Sequence, residues 1–378
     1  MQLSEQTLDL KKMIADFVDK EIIPVAAEYD KKGEFPVEVL NKINEMDLYC
    51  VSIPEQFGGL GLGILDTAII SEELARGDLG IAATIGANTL ASIPVLLAGT
   101  EEQQKHWFDI LKEKHLSSFC LTEPGAGSDA SQVSTTAVLD GDEYVINGRK
   151  CFVTNGGFSG IYAVVAVTDK SAGTKGLSIF MIERDREGIS IGKEEDKMGM
   201  RLSNTCDVIF ENVRIPASNR IGREGDGFKL AMATLDRTRP CVAAQAVGVA
   251  ERAMQEAIAY AKERKQFGKP LAAFQVTQFK FADMYIAIET ARQMSYHAAE
   301  LIDAGLGQKA AAESAISKAY AGDVVMKVTT EAVQVLGGYG YMKDYPVEKL
   351  MRDAKILQIY EGTGEIQRMV IAGKLLMG

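Results

Sequence analysis

Histidine is almost missing from this chain: His106, His115 and His297 are all that 378 residues contain. No two stand at a metal-ligand spacing, which argues against imidazole catalysis and a histidine-rich metal site. Cysteine is sparse too. Cys50, Cys120, Cys151, Cys206 and Cys241 are odd in number, with no C-x-x-C pair. That disfavours a disulfide framework or a zinc site and points to small buried thiols in a reducing compartment. Basic residues are in deficit: 41 Lys and Arg against 52 Asp and Glu give a net charge of −11. Nucleic acid is disfavoured as a partner, because phosphate backbones call for a basic face. An anionic small ligand still fits, since a few local cations or a helix N-terminus suffice. No apolar run reads as a membrane span. The first residues, MQLSEQTLDLKKMIADFVDKEIIPVA, are amphipathic and acidic, unlike a signal or transit peptide. The expectation is a soluble, cytoplasmic, bacterial-type protein of two or three domains.

What is present falls into three blocks. Residues 1–118 read as a helical domain: Leu10, Ile14, Phe17, Val18 and Ile22 recur at helical spacing. Pro36 suits a helix's first turn, and Thr100 to Gln103 has capping-box spacing before Trp107, Ile110 and Leu111. The glycines of PEQFGGLGLG, residues 54–63, serve turns rather than a phosphate cradle. Residues 119–228 change to period two. Short runs such as IYAVVAVTD, GLSIFMIE and CDVIFENVRI predict a small antiparallel β-barrel or sandwich domain. Asn147-Gly148 predicts a hairpin turn there. Residues 229–378 are helical again and predict a four-helix bundle, with Pro240 bending or breaking its first helix. The fold class is α+β, mainly α, without the alternation of a Rossmann domain.

Six stretches can carry chemistry. FCLTEPGAGSDAS (119–131) offers hydroxyls and glycines that let backbone approach a ligand, or is a plain turn at Pro124-Gly125. In KCFVTNGG (150–157), Phe152 could cover a flat ring and Thr154 bond its edge, or both are ordinary strand residues. TLDRTRP (234–240) places Asp236 and Arg239 three apart on a helix face, within an apolar context that suggests burial. RKQFGKP (264–270) with Gln275 can meet a pyrophosphate or simply cap a helix. QVLGGYGY (334–341) is a glycine turn after a helix. IYEGTGEIQR (359–368) sets the lone carboxylate Glu361 beside Gly362 before the last helix, where an acid also suits the dipole.

Taken in this order, those stretches closely resemble the acyl-CoA dehydrogenase family of flavoproteins over nearly the whole chain. The resemblance implies noncovalent FAD, with an acyl-CoA thioester lying against the flavin. Glu361 is then the catalytic base that takes the α-proton while the β-hydrogen moves as hydride to flavin N5, and its own N–H helps hold the thioester oxygen. Phe119, Leu121, Thr122, Gly127 and Ser128 correspond to the flavin side of the middle domain, Ser128 also meeting CoA. Phe152, Val153 and Thr154 correspond to the strand facing the isoalloxazine, and Thr363 joins the cofactor contacts. Asp236, Arg239, Tyr360 and Gly362 correspond to the substrate channel. Arg264, Phe267, Gln275, Gln334, Gly337 and Gly338 match contacts to the FAD of a neighbouring subunit, which implies a homotetramer built as a dimer of dimers. Two positions depart from many relatives: Phe152 replaces tryptophan and Phe119 replaces tyrosine.

The resemblance implies a dehydrogenase, or a 2-enoyl-CoA reductase running the same chemistry backwards. Its electron partner would be an electron-transferring flavoprotein, in some cytoplasmic bacterial members within an electron-bifurcating complex. Short-chain acyl groups are the default substrate, with an aryl-propenoyl thioester such as hydroxycinnamoyl-CoA as the alternative. An acyl-CoA oxidase and a noncatalytic scaffold are the remaining readings. Retention of Glu361 weighs against the scaffold. The chain's 378 residues weigh against the oxidase, whose relatives are longer.

Overall fold

The computed structural model describes residues 3–113 and 116–377; His115 lies outside them. Six helices come first: α1 (Glu5–Phe17), α2 (Ile23–Lys32), α3 (Val37–Glu45), α4 (Ile64–Gly77), α5 (Leu79–Ala98) and α6 (Glu101–Lys112). The capping box forms at α6: Thr100 Oγ1 accepts from the Gln103 amide and Gln103 Oε1 from the Thr100 amide. Behind that cap Trp107, Phe108 and Leu111 are wholly buried. Helix α5 corrects one expectation, because its 20 residues are long and apolar enough to cross a membrane. Most of it is buried inside the molecule. Asp78 caps its first turn, and Asn88 Oδ1 accepts from the Ser117 amide at 2.8 Å. Such a helix is a core element, a case that hydropathy alone does not separate from a span.

The middle of the chain forms one eight-stranded sheet. Its strands are β1 (Leu116–Cys120), β2 (Thr136–Asp140), β3 (Glu143–Thr154), β4 (Ser159–Val167), β5 (Leu177–Glu183), β6 (Ile189–Glu194), β7 (Thr205–Pro216) and β8 (Arg220–Ile221). The order is β6-β7-β3-β2-β4-β5-β8, with β1 added alongside β4. Most pairs are antiparallel, but β1 and β2 each run parallel to β4, so the sheet is mixed. The long apolar runs have a cause in two-sided burial. Ile161, Ala163, Val165, Ile179 and Met181 face the large core shared with the helices. Tyr162, Val164, Ala166, Phe180 and Ile182 face a second core within the β layer.

Asn147-Gly148 is not the hairpin turn. The turn is Gly141-Asp142, between paired Asp140 and Glu143, with Gly141 at φ 67°. Gly148 lies inside β3, where the pairing with β7 shifts register. A Cβ there would sit 2.3 Å from Thr135 Oγ1, so glycine serves a close crossing, not a reversal.

The last part is helical: α7 (Gly227–Glu263), α8 (Gln275–Asp303), α9 (Gly307–Leu336), α10 (Val347–Ala354) and α11 (Gly364–Met377). A two-residue-per-strand hairpin, β9 (Lys265–Gln266) with β10 (Lys269–Pro270), follows α7. Pro240 does not break α7, which runs 37 residues without interruption. The helix is buried around Pro240, and the Pro240 carbonyl takes a hydrogen bond from Ser295 Oγ of α8 at 2.8 Å. The missing donor instead leaves the Asp236 carbonyl without its helical partner, one turn earlier.

Candidate active site

Glu361 lies in the short loop between α10 and α11, in the left-handed region at φ 51°, followed by Gly362 at φ 92°. A glutamate rarely adopts that conformation, and the surroundings hold it there. Its carbonyl accepts from Gln367 Nε2 at 3.2 Å and from Arg239 Nε at 3.5 Å. The Gly362 carbonyl accepts from Lys318 Nζ at 2.6 Å and Gln367 Nε2 at 3.0 Å. A Cβ on Gly362 would lie 2.5 Å from that Gln367 nitrogen, so only glycine fits. Thr363 Oγ1 accepts from the Ile366 amide and so caps α11.

So held, the Glu361 side chain turns toward α7 rather than toward the α11 N-terminus. Thr238 Oγ1 donates to its Oε2 at 2.6 Å. Its Oε1 takes no hydrogen bond among the described residues, and neither does its backbone N–H find an acceptor there. Burial pushes the carboxyl above its ordinary value, opposed by the Thr238 hydroxyl and by the Lys318 and Arg239 cations. A base of raised pKa beside a free N–H donor is suited to taking a proton α to a carbonyl while holding the carbonyl oxygen.

Glu361 lines a narrow cavity. The other walls are Thr238, Cys241, Val242 and Gln245 of α7, Thr67, Ile70 and Ser71 of α4, Ile85, Gly86 and Thr89 of α5, and Val51. Tyr360 Oη donates to Gln245 Oε1 at 2.8 Å, and Gln245 Nε2 reaches the Ala82 carbonyl at 3.4 Å. Asp236 Oδ1 accepts from Arg239 at 2.5 Å; Arg239 is buried while Asp236 stays part-exposed.

The β-domain face offers a flat-ring site. Phe152 sits where β3 slips register against β7, at φ 55°, with its ring 65% exposed. A bulge of this kind turns a side chain outward. Val153 points the other way, into the β core, and has only backbone to offer. The Glu123–Ala126 bridge closes the turn of the TEPGAG loop. Cβ atoms on Gly125 and Gly127 would meet nothing, so the loop surface is open to a ligand. Phe119, Leu121, Thr122 and Thr154 are part-buried around it, and Ser128 is exposed.

A second cavity, about 510 Å³, lies at the far end of α7. Arg264, Gly337 and Gly338 line it with Tyr260, Tyr339 and Met342. The Arg264 guanidinium stands 5.6 Å from the Tyr339 ring centre. Phe267 and Gly268 form the β9–β10 turn, both at positive φ, which leaves Phe267 95% exposed. Gln275 starts α8 and Gln334 lies near the end of α9; both are exposed. From Arg239 to Arg264, α7 rises about 38 Å.

Three family models match in series: the acyl-CoA dehydrogenase N-terminal domain over residues 4–112, the middle domain over 118–213 and the C-terminal domain over 225–376. The chain belongs to the acyl-CoA dehydrogenase family. It is 46% identical over 374 residues to the short-chain specific acyl-CoA dehydrogenase of Clostridium acetobutylicum, covering 98% of each chain. Butyryl-CoA dehydrogenase of Megasphaera elsdenii superposes with a TM-score of 0.96 at 44% identity, covering 100% of this chain and 99% of that one. A chain from work on the electron transferring flavoprotein of Acidaminococcus fermentans and flavin-based electron bifurcation gives 0.97 at 45%, covering both chains fully.

This acyl-CoA dehydrogenase is thus an oxidoreductase of CH–CH bonds with the family's three-part fold. Four residues around Glu361 and its cavity were not singled out from sequence. Thr238 lies between the two charges that were, and it is the α7 residue bonded to the carboxyl. Gln245 and Gln367 gave no local signal. Lys318 did, as a lysine spaced with Ser314, Ala321 and Val325 on the buried face of α9.

Proposed function

We propose that this acyl-CoA dehydrogenase desaturates a short-chain acyl-CoA between Cα and Cβ, or reduces the matching 2-enoyl-CoA, with Glu361 as base. The carrying observation is the Glu361 carboxyl, part-buried at a cavity wall with Oε1 and its own backbone N–H both unengaged among the described residues. Oε1 takes the α-proton. The N–H steadies the charge that develops on the thioester oxygen. FAD, when bound, supplies the acceptor for the β-hydrogen. Phe119, Leu121, Thr122, Gly127, Ser128, Phe152 and Thr154, with the Val153 backbone, would hold its flavin end. The outward Phe152 ring and the open glycine cradle support that fit. Asp236 and Arg239 border the substrate channel, and Ser128 meets CoA.

The Arg264 cavity lies too far along α7 from Arg239 for one cofactor to serve both ends. A second copy would bring Arg264, Phe267, Gln275, Gln334, Gly337 and Gly338 to its neighbour's FAD. Exposed Phe267, Val276, Phe279, Ile286, Tyr341, Leu375 and Leu376 supply apolar surface for that homotetramer. Short acyl chains are favoured because the cavity beside Glu361 is narrow and Tyr360 Oη ties Gln245, one of its walls, in place. Electrons pass to or from an electron-transferring flavoprotein, in the cytoplasm. The test is Glu361→Gln. The variant should bind FAD and butyryl-CoA normally, yet bleach its flavin at least about a hundredfold more slowly. Rapid bleaching in that variant would overturn the assignment.

A further inference from the structure

Lys318 is 1% exposed in the middle of α9, yet it pairs with no carboxylate by direct contact among the described residues. Its one hydrogen bond goes to a neutral acceptor, the Gly362 carbonyl, at 2.6 Å. An ammonium stripped of water needs more than one neutral carbonyl, so its compensation must come through space. The charged groups around it are Glu361 in the loop, Arg239 on α7, Glu365 on α11 and Asp323 on α9. Asp323 is engaged with Arg368, and Arg239 with Asp236. Glu361 is the anion that acts on it most, while burial pulls the lysine down to about 8.

The contact also has a mechanical side. Two consecutive carbonyls, of Glu361 and Gly362, turn toward Arg239, Gln367 and Lys318. With both residues at positive φ, gripping the carbonyls fixes where the Glu361 side chain and N–H aim. We propose that Lys318 is a positioning residue for proton transfer, anchoring the loop at the Gly362 carbonyl and favouring the ionised Glu361 carboxylate by its charge. This rests on Glu361 being the base.

Three variants separate the two roles, each purified with FAD and followed by flavin bleaching with butyryl-CoA across pH. Lys318→Gln keeps a donor for the carbonyl but drops the charge. Its acid limb should move up by about one pH unit, with most of the plateau rate retained. Lys318→Met loses both, so the limb moves up and the plateau falls about tenfold or more. Lys318→Arg keeps the charge, and its acid limb should stay where the wild type has it. Crotonyl-CoA affinity by calorimetry should change little in all three, giving a kcat effect without a matching binding effect. An unmoved acid limb in Lys318→Gln, or one in Lys318→Arg that moves as far as in the neutral variant, overturns the proposal. Glu361→Gln, run alongside, separates the failures: fast bleaching there sinks the base assignment itself, whereas a dead Glu361→Gln with an unmoved Lys318→Gln limb sinks only the role of Lys318.

Discussion

Removing the ammonium of Lys150 should loosen the loop that carries Leu121 to Ser128. Lys150 is wholly buried in β3 and donates to the Leu121 carbonyl at 3.1 Å and to Glu123 Oε1 at 2.7 Å. Glu123 also accepts from the Ser134 amide and hydroxyl, at 2.8 and 2.6 Å, and from the Thr135 amide at 3.0 Å. Burial alone would raise this carboxyl. The Lys150 charge and these donors overcome burial and hold it at about 2, against an ordinary 4.5. For Glu123 a drop of that size corresponds to about 3 kcal/mol, present above the unfolded value and lost as pH falls toward the folded one, while burial lowers the Lys150 pKa and offsets part of it. Lys150→Met strands Glu123 with neutral donors only and should cost about 3 kcal/mol. Glu123→Gln, which strands the lysine, should cost a similar amount. The double variant removes both charges and should cost no more than either single variant, a coupling of about 3 kcal/mol. Urea midpoints of the FAD-loaded proteins measure this, with flavin release followed by fluorescence. The Lys150→Met deficit should be full at neutral pH and begin to close below about pH 4.5. Flavin should leave the single variants faster, because the anchored backbone is the proposed flavin cradle. Single-variant costs that add to within about 0.5 kcal/mol, with unchanged flavin retention, would refute this account.

Two further outcomes follow from the same kind of accounting. Thr238→Val removes the 2.6 Å bond that favours the ionised Glu361. The Glu361 pKa should rise and, with Glu361 as the proposed base, the acid limb of the bleaching rate should climb by about one pH unit, as read by stopped-flow absorbance. Lys349 Nζ lies 2.5 Å from both Asp78 and Asp353, all three buried. Lys349→Met leaves two buried carboxylates facing each other and should cost about 3–5 kcal/mol in urea unfolding. That deficit should shrink as pH falls and the carboxyls take up protons in the folded state.

The parts of this molecule legible in its sequence share one property: their cause is local. The capping box at Thr100, the short β-rich run of residues 161–166 and the helical periods of α8 and α9 each depend on neighbours within a few residues. The misread elements depended on distant contacts. Asn147-Gly148 has the chemistry of a turn, but Thr135 presses against Gly148 from another segment and β3 runs straight through. Pro240 has the chemistry of a helix breaker, but the packing around α7 holds the helix through it. Helix α5 does have the length and composition of a span, which its interspersed Gly, Thr, Asn and Ser residues hide from a search for apolar runs, and what surrounds it is protein.

The site divides along the same line, and the division explains which residues the motifs could reach. Glu361, Asp236 and Arg239 stand out because a charge in an apolar stretch is a local anomaly, but only the family resemblance gave them roles. Thr238 is not an anomaly, since a threonine inside a helix ordinarily bonds back to its own backbone, and this one lies within 3.5 Å of the Thr234 and Leu235 carbonyls. Only the arrival of a loop 123 residues later turns its hydroxyl toward a carboxylate. Lys318 lies between the two cases. Its place on the apolar face of α9 marks it as needing a partner, but not which one, because that partner is the carbonyl of a glycine 44 residues on. Buried cations on helices need not point this way, since Lys349 on α10 meets two carboxylates, but Lys318 reaches a loop elsewhere in the chain. The loop it grips is one whose two residues at positive φ, Glu361 and Gly362, hold an uncommon backbone conformation.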